Sequence, residues 1–285
     1  MPCSLWNNGD NLIKYVASVC DNTVVVIHSV GPVLVEPWID HPNVTAVVWA
    51  NLPGQESGNS LVDVLFGKVN PSGRLPYTIA KRREDYGADV VYQSDGNVQL
   101  TYTDALNIDY RHFDSKGISP RFEFGSVLLC YLYAQLILTF LIPFSFGLSY
   151  TTFAYSGLQI AKSIAKRQEA VAARKIPQGG DPALWKTSLT VSFTVKNTGS
   201  LPGHEVSQIY LGFPAAAGEP PKVLRGFKRT YLKNGASTKV TVELTRRDLS
   251  VWDVVKQDWV VPSGKFEVFV GASSRDVKLT GTFSH

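Results

Sequence analysis

The chain has 285 residues, 44% hydrophobic and 18% charged, a soluble globular composition with room for two domains that each bury a core. Its formal charge of +4 is small for that length, which argues against nucleic acid or another acidic partner, since these need a concentrated basic face. Cys3, Cys20 and Cys130 are odd in number and widely spaced, so they make neither a metal site nor a disulfide framework, and no cofactor is expected.

The first residues, Met1 to Asp10, lack a basic start followed by an apolar run, so they do not read as a signal peptide. The expectation is an intracellular chain or one that starts away from its natural beginning. Asn43-Val44-Thr45 is a sequon, which makes Asn43 a glycosylation candidate in a secretory setting.

Residues 1–80 read as alternating strands and helices. Thr23 to Ile27 is a continuous β-branched run, the pattern of a strand buried on both faces of a parallel sheet. Gly31 to Asp40 is expected to include a short helix, and Thr45 to Ala50 a second buried strand. Pro53 to Gly58 turns into a helix whose apolar stripe is Leu61, Val62, Leu65 and Phe66, with Gly67 where a C-terminal cap belongs. This order predicts a parallel sheet with covering helices.

Residues 81–125 are loop-rich and read as an interdomain loop. Ser126 to Phe146 carries no charge. At about 20 residues it has the length of a membrane-spanning helix, but no basic cluster flanks it, so a membrane role is not the preferred reading. Ala161 to Lys175 carries five basic residues and one Glu, preferred as a solvated loop or helix face over a nucleic-acid patch.

From Ser188 the period becomes two. Leu189, Val191, Phe193 and Val195 alternate with Thr190, Ser192, Thr194 and Lys196. Val240, Val242 and Leu244 repeat the pattern, as do Phe266, Val268 and Val270, and Asn234-Gly235 is a hairpin signal. Residues 146–285 are therefore expected to form a β-sandwich.

Several ordered stretches resemble fungal-type β-glucosidases of glycoside hydrolase family 3. They include Asn22 to Val33, Trp49 to Asn59, Asn70 to Thr78, Ile108 to Asp114, Val195 to Gly199 and Leu224 to Lys228. The family also carries a motif resembling Glu-Phe-Gly-Phe-Gly-Leu-Ser-Tyr-Thr-Thr-Phe. Here Glu123-Phe124-Gly125 and Phe146 to Phe153 are its two halves, and deleting residues 126–145 rejoins them. Those 20 residues are read as a translated retained intron, with a genuine membrane anchor as the alternative. Where the family tends to have Thr-Glu-Gly before its Asp-Tyr-Arg segment, this chain has Thr103-Asp104-Ala105, which puts the loop path in question.

The resemblance implies an incomplete parallel α/β sandwich domain followed by a fibronectin type III-like, immunoglobulin-like β-sandwich. It implies the C-terminal portion only of an extracellular enzyme that hydrolyses terminal β-D-glucosyl residues of β-glucosides or cello-oligosaccharides. Such retaining enzymes need two carboxyl groups about 5–5.5 Å apart. The family's nucleophilic Asp lies on a barrel domain that nothing here resembles, and its acid/base Glu precedes the stretch resembled by Leu5 to Asp10. No catalytic residue is therefore assigned, the substrate contacts are unknown, and the chain alone is expected to be inactive.

Some residues still admit a functional reading. Glu56 could be a catalytic carboxylate, though a first-turn acid favoured by the helix dipole is preferred. His28 could be a base or ligand, with a hydrogen-bonded structural histidine preferred. Asp109, Arg111, His112 and Asp114 suit either a cleft or an ion-pair network between domains. The alternative function is a stand-alone module binding carbohydrate or protein through Trp185, Trp252 or Trp259, although core positions are preferred for these tryptophans.

Overall fold

A computed structural model describes residues 4–91, 96–127, 149–162 and 180–285, with the backbone of 129–130. Ahead of the first expected strand lies a helix that the strand pattern does not announce, α1 (Gly9–Val19). Strand β1 (Thr23–Ile27) has the expected limits and pairs parallel with β2 (Val44–Trp49), with Val25 opposite Val47 and Ile27 opposite Trp49.

Burial of β1 differs from expectation. Val25 and Ile27 are 8% and 2% exposed, but Val24 is 43% exposed. The described sheet runs β1-β2-β3, so β1 is its edge and one of its faces is incompletely covered. The helix expected within Gly31 to Asp40 is also absent: the segment forms turns, with Pro32 and Pro37 removing two backbone donors. Its Val35, Trp38 and Ile39 nevertheless fill the core against Ala17, Val47 and Leu75.

A 3-10 turn at Gly54–Glu56 leads into α2 (Ser57–Leu65), and Gly67 at φ 73° ends the helix as expected. The outcome for its apolar residues is the reverse of a core stripe. Val62, Leu65 and Phe66 face outward, and no α2 residue is buried. Gly58 faces open space, so the close packing that a glycine would permit is not used. Beyond α2, residues 74–79 run beside 121–127, joined by Leu75 N–H to the Ser126 carbonyl and Ile79 N–H to the Phe122 carbonyl, each 2.8 Å. Between these arms lies α3 (Tyr110–Ser115).

Of the charge-free run, Ser126 and Val127 are buried, and the backbone of β3 (Leu129–Cys130) pairs antiparallel with Val47 and Val48 of β2. The rest of that run, Phe146 to Leu148 of the motif, and the basic segment beyond Lys162 lie outside the described residues.

The second domain is a sandwich. Its strands are β4 (Phe153–Lys162), β5 (Thr187–Asn197), β6 (Gly203–Gly212), β7 (Val223–Leu232) and β8 (Ser237–Thr245). After a small hairpin of β9 (Val251–Asp253) and β10 (Asp258–Val260) come β11 (Lys265–Gly271) and β12 (Val277–Ser284). One sheet has the order β12-β11-β6-β7 and the other β4-β5-β8. The alternation read from the sequence is realised: Leu189, Val191, Phe193, Val195, Val268 and Val270 are at most 1% exposed in a single core. Gly235, at φ 71°, makes the β7–β8 turn.

Candidate functional site

In open α/β sheets, ligands gather beyond the carboxyl ends of the strands. Here that region holds His28 after β1 and the loop from Ala50 to Glu56 after β2. The Trp49 indole donates to the Tyr77 hydroxyl at 2.7 Å, and that hydroxyl donates to Asn51 Oδ1 at 2.9 Å. Burial pushes the Tyr77 phenol up, so it stays a neutral donor. Asn51 takes a left-handed φ of 50°, a conformation that asparagine tolerates better than most residues.

Glu56 is exposed in the turn before α2 and accepts from the Asn59 amide at 2.8 Å, as a first-turn acid would. His28 is exposed, and no hydrogen bond to its ring is formed among the described residues, which corrects the structural reading. It stands one residue past the end of β1, clear of the core that the strand enters.

The four polar residues of the 109–114 segment separate by role. Asp109 caps α3: its carboxylate accepts from Tyr110 N at 2.6 Å and from the Thr78 amide and hydroxyl at 2.9 Å each. Asp114 is the ion-pair member, with its side chain 8% exposed between Lys222 at 3.1 Å and Arg275 at 3.3 Å, both on the sandwich. Arg111 donates to the Ile108 carbonyl, and His112 packs edge-on to Phe113. Ala105 adopts φ 50°, a left-handed conformation that strains a residue carrying a Cβ.

The strongest cluster was not foreseen. Arg74 pairs with Glu205 at 2.8 Å, with side chains only 12% and 5% exposed. The Tyr155 hydroxyl donates to the other Glu205 oxygen at 2.6 Å and accepts from Ser207. Burial and the adjacent carboxylate push the Tyr155 phenol far up, fixing it as a donor. These groups border an interdomain cleft of about 220 Å³ whose lining also includes Glu123, Ser126 and Ser273. The only sequence signal was a carboxylate at an inward position of a strand, because Arg74 lies 131 residues away. Further seam bonds run from Gln208 to the Gly125 carbonyl, from Ser273 to Glu123, and from Leu224 N–H to the Tyr110 hydroxyl.

Asn43 uses its amide nitrogen to donate to the Ala17 carbonyl at 2.8 Å, tying the end of α1 to the start of β2. Thr45 of the same sequon donates to Asn22. Trp185 is 66% and Trp252 45% exposed, which overturns core placement for both. Trp259 meets Trp252 edge-on at 5.5 Å, and the Arg247 guanidinium lies 3.3 Å from its ring centre.

Fold and seam define a two-domain chain, an α/β unit bonded to a fibronectin type III-like sandwich. Residues 2–128 match the glycosyl hydrolase family 3 C-terminal domain, and residues 205–274 match the fibronectin type III-like domain. The chain therefore carries a C-terminal domain of the glycosyl hydrolase family 3 type followed by a fibronectin type III-like domain. It is 48% identical over 98% of its length to "Probable beta-glucosidase L" of Neosartorya fischeri, but covers 34% of that protein. It superposes on the β-D-glucoside glucohydrolase of Trichoderma reesei with TM-score 0.84 and 45% identity, covering 99% of this chain and 36% of the other. A β-glucosidase 3B from Thermotoga neapolitana, solved with α-D-glucose, matches at TM-score 0.75 and 32% identity, with 34% of it covered. The chain thus spans about a third of the length of the relatives it matches.

Proposed function

We propose that this chain serves as the non-catalytic C-terminal part of a β-glucosidase acting on terminal β-D-glucosyl residues, in extracellular breakdown of β-glucans such as cellulose. The observation that carries this reading is alignment of nearly the whole chain with one third of each β-glucosidase relative. The roles of its buried carboxylates support it. Glu205, Asp114 and Glu123 each hold a partner across the domain seam, and Asp85 pairs with Arg82. General acid/base and nucleophilic groups supply much of a glycosidase's acceleration. The purified chain is accordingly expected to hydrolyse no aryl β-glucoside above background at mildly acidic pH. Turnover abolished by Glu56→Gln or Asp109→Asn would overturn the reading.

Half-exposed Trp252 favours a second reading, a carbohydrate-binding surface on the sandwich. Retention on cello-oligosaccharide resin that is lost in Trp252→Ala would support it. The 126–145 segment remains, in our proposal, a translated intron; its uniform presence in mature message across codons 120–150 would refute that.

A further inference from the structure

The chain contains two Asn-Gly dipeptides, Asn8-Gly9 and Asn234-Gly235. An asparagine followed by glycine is open to an intramolecular reaction, because glycine has no side chain to keep its backbone nitrogen away from the asparagine Cγ. The nitrogen attacks Cγ and a C–N bond forms. The Cγ–Nδ2 bond breaks, and the side-chain NH2 leaves with the glycine amide proton as ammonia. The resulting succinimide ring then takes up water. Opening at one carbonyl gives aspartate, and opening at the other gives isoaspartate, in which the backbone runs through Cβ and Cγ.

Both asparagines are exposed, so exposure does not separate them. Hydrogen bonding does. Gly9 donates its N–H to the Trp6 carbonyl, which holds the proton that the reaction must remove. Asn8 Oδ1 accepts from the Asn11 amide at 2.8 Å, which ties that side chain to the first turn of α1. A Cβ on Gly9 would stand 2.8 Å from the Leu5 Cβ, so the backbone there is crowded as well. Among the described residues, none of these restraints acts on the second pair. Its turn is closed by Ala236 N–H to the Lys233 carbonyl at 3.0 Å, a bond that uses neither the Asn234 side chain nor the Gly235 nitrogen. Gly235 has φ 71° and open space where a Cβ would stand.

The turn links β7 of one sheet to β8 of the other. Both its ends are held by Asn197, which is fully buried. Asn197 N–H donates to the Ala236 carbonyl at 2.9 Å, and its Nδ2 donates to the Leu232 carbonyl at 3.2 Å. An isoaspartyl link lengthens the backbone by one carbon between those two acceptors. A buried donor that loses its acceptor is destabilising.

We propose that Asn234 is a site of spontaneous deamidation and isoaspartate formation, and that the modification loosens the join between the two sheets of the sandwich. Asn8, in the same dipeptide, is spared by its hydrogen bonds.

The test holds the full chain at mildly alkaline pH and follows both asparagines by peptide mass spectrometry and isoaspartyl methyltransferase labelling. In the folded chain Asn234 should convert at least tenfold faster than Asn8. In urea, where the hydrogen bonds are gone, the two rates should converge. Asn234→Gln should abolish labelling at the turn, because its longer side chain disfavours the ring. The aged chain should melt at a lower temperature than the fresh one, whereas aged Asn234→Gln should keep its melting temperature. Fresh Asn234→Asp, which adds the charge without lengthening the backbone, should melt with the fresh chain. Asn8 converting as fast as Asn234 in the folded chain would overturn the assignment, as would an Asn234 modified in urea but not in the fold. Equal melting of aged and fresh chain, or equal loss in aged Asn234→Gln, would overturn the loosening.

Discussion

The two domains place their apolar residues in opposite ways. In the sandwich, strands alternate and each inward residue meets the facing sheet, so Phe193, Phe266 and Leu211 are no more than 1% exposed. In the α/β domain, comparable runs on α1, β1 and α2 leave Leu12, Val24 and Phe66 in solvent. An antiparallel sandwich closes its core with its own strands, whereas a parallel sheet needs covering elements on both faces. Among the described residues, the sandwich buries its apolar faces between its own two sheets, whereas the α/β domain leaves part of its apolar surface in solvent.

Dividing the chain tests this most severely. Residues 146–285 alone should unfold in one cooperative thermal transition, while residues 1–125 alone should be largely insoluble. A disordered sandwich piece would end the comparison. Within the whole chain, Phe193→Ala should lower stability by about 3–5 kcal/mol by emptying a core position. Phe66→Ala, just beyond α2, should shift it by less than about 0.5 kcal/mol. Chemical denaturation of the two variants measures the contrast directly.

The seam between the domains offers a narrower test. Arg74→Ala strands the Glu205 carboxylate in a site where it is 5% exposed, and should cost about 3 kcal/mol. Arg74→Met combined with Glu205→Gln should recover most of that loss, because no buried charge remains. A double variant as weak as the single one would show that the seam is held by packing rather than by this pair. Ala105→Gly should raise stability by about 0.5–1 kcal/mol, since glycine takes the φ of 50° without the Cβ clash.

The smallest effect is one of pH. Burial and the nearby Arg229 hold the His204 imidazole below its ordinary value. The unfolded chain therefore binds a proton at a higher pH than the folded one. The contribution is fully present above the unfolded value of about 6.5 and is lost as pH falls from there through the lower folded value. The melting temperature should fall slightly between pH 7.5 and 5.5, and less so in His204→Gln.

The sequence by itself determined the elements whose cause is local. The run Thr23 to Ile27 could only be a strand, the alternation from Leu189 to Val195 marked one inward face, and Asn234-Gly235 specified a turn. Gly67 ended its helix because a left-handed residue was needed there. Tertiary structure alone decided which apolar face was covered, since Val24 and Val25 are the same residue type and only their neighbours differ. It also decided the roles of charged groups. Asp109 became a helix cap and Asp114 an ion-pair partner, five residues apart, and Glu205 met Arg74 only because the domains pack. Period and turn chemistry act over a few residues, but burial and charge pairing depend on what the fold brings from far along the chain, and no local pattern encodes that.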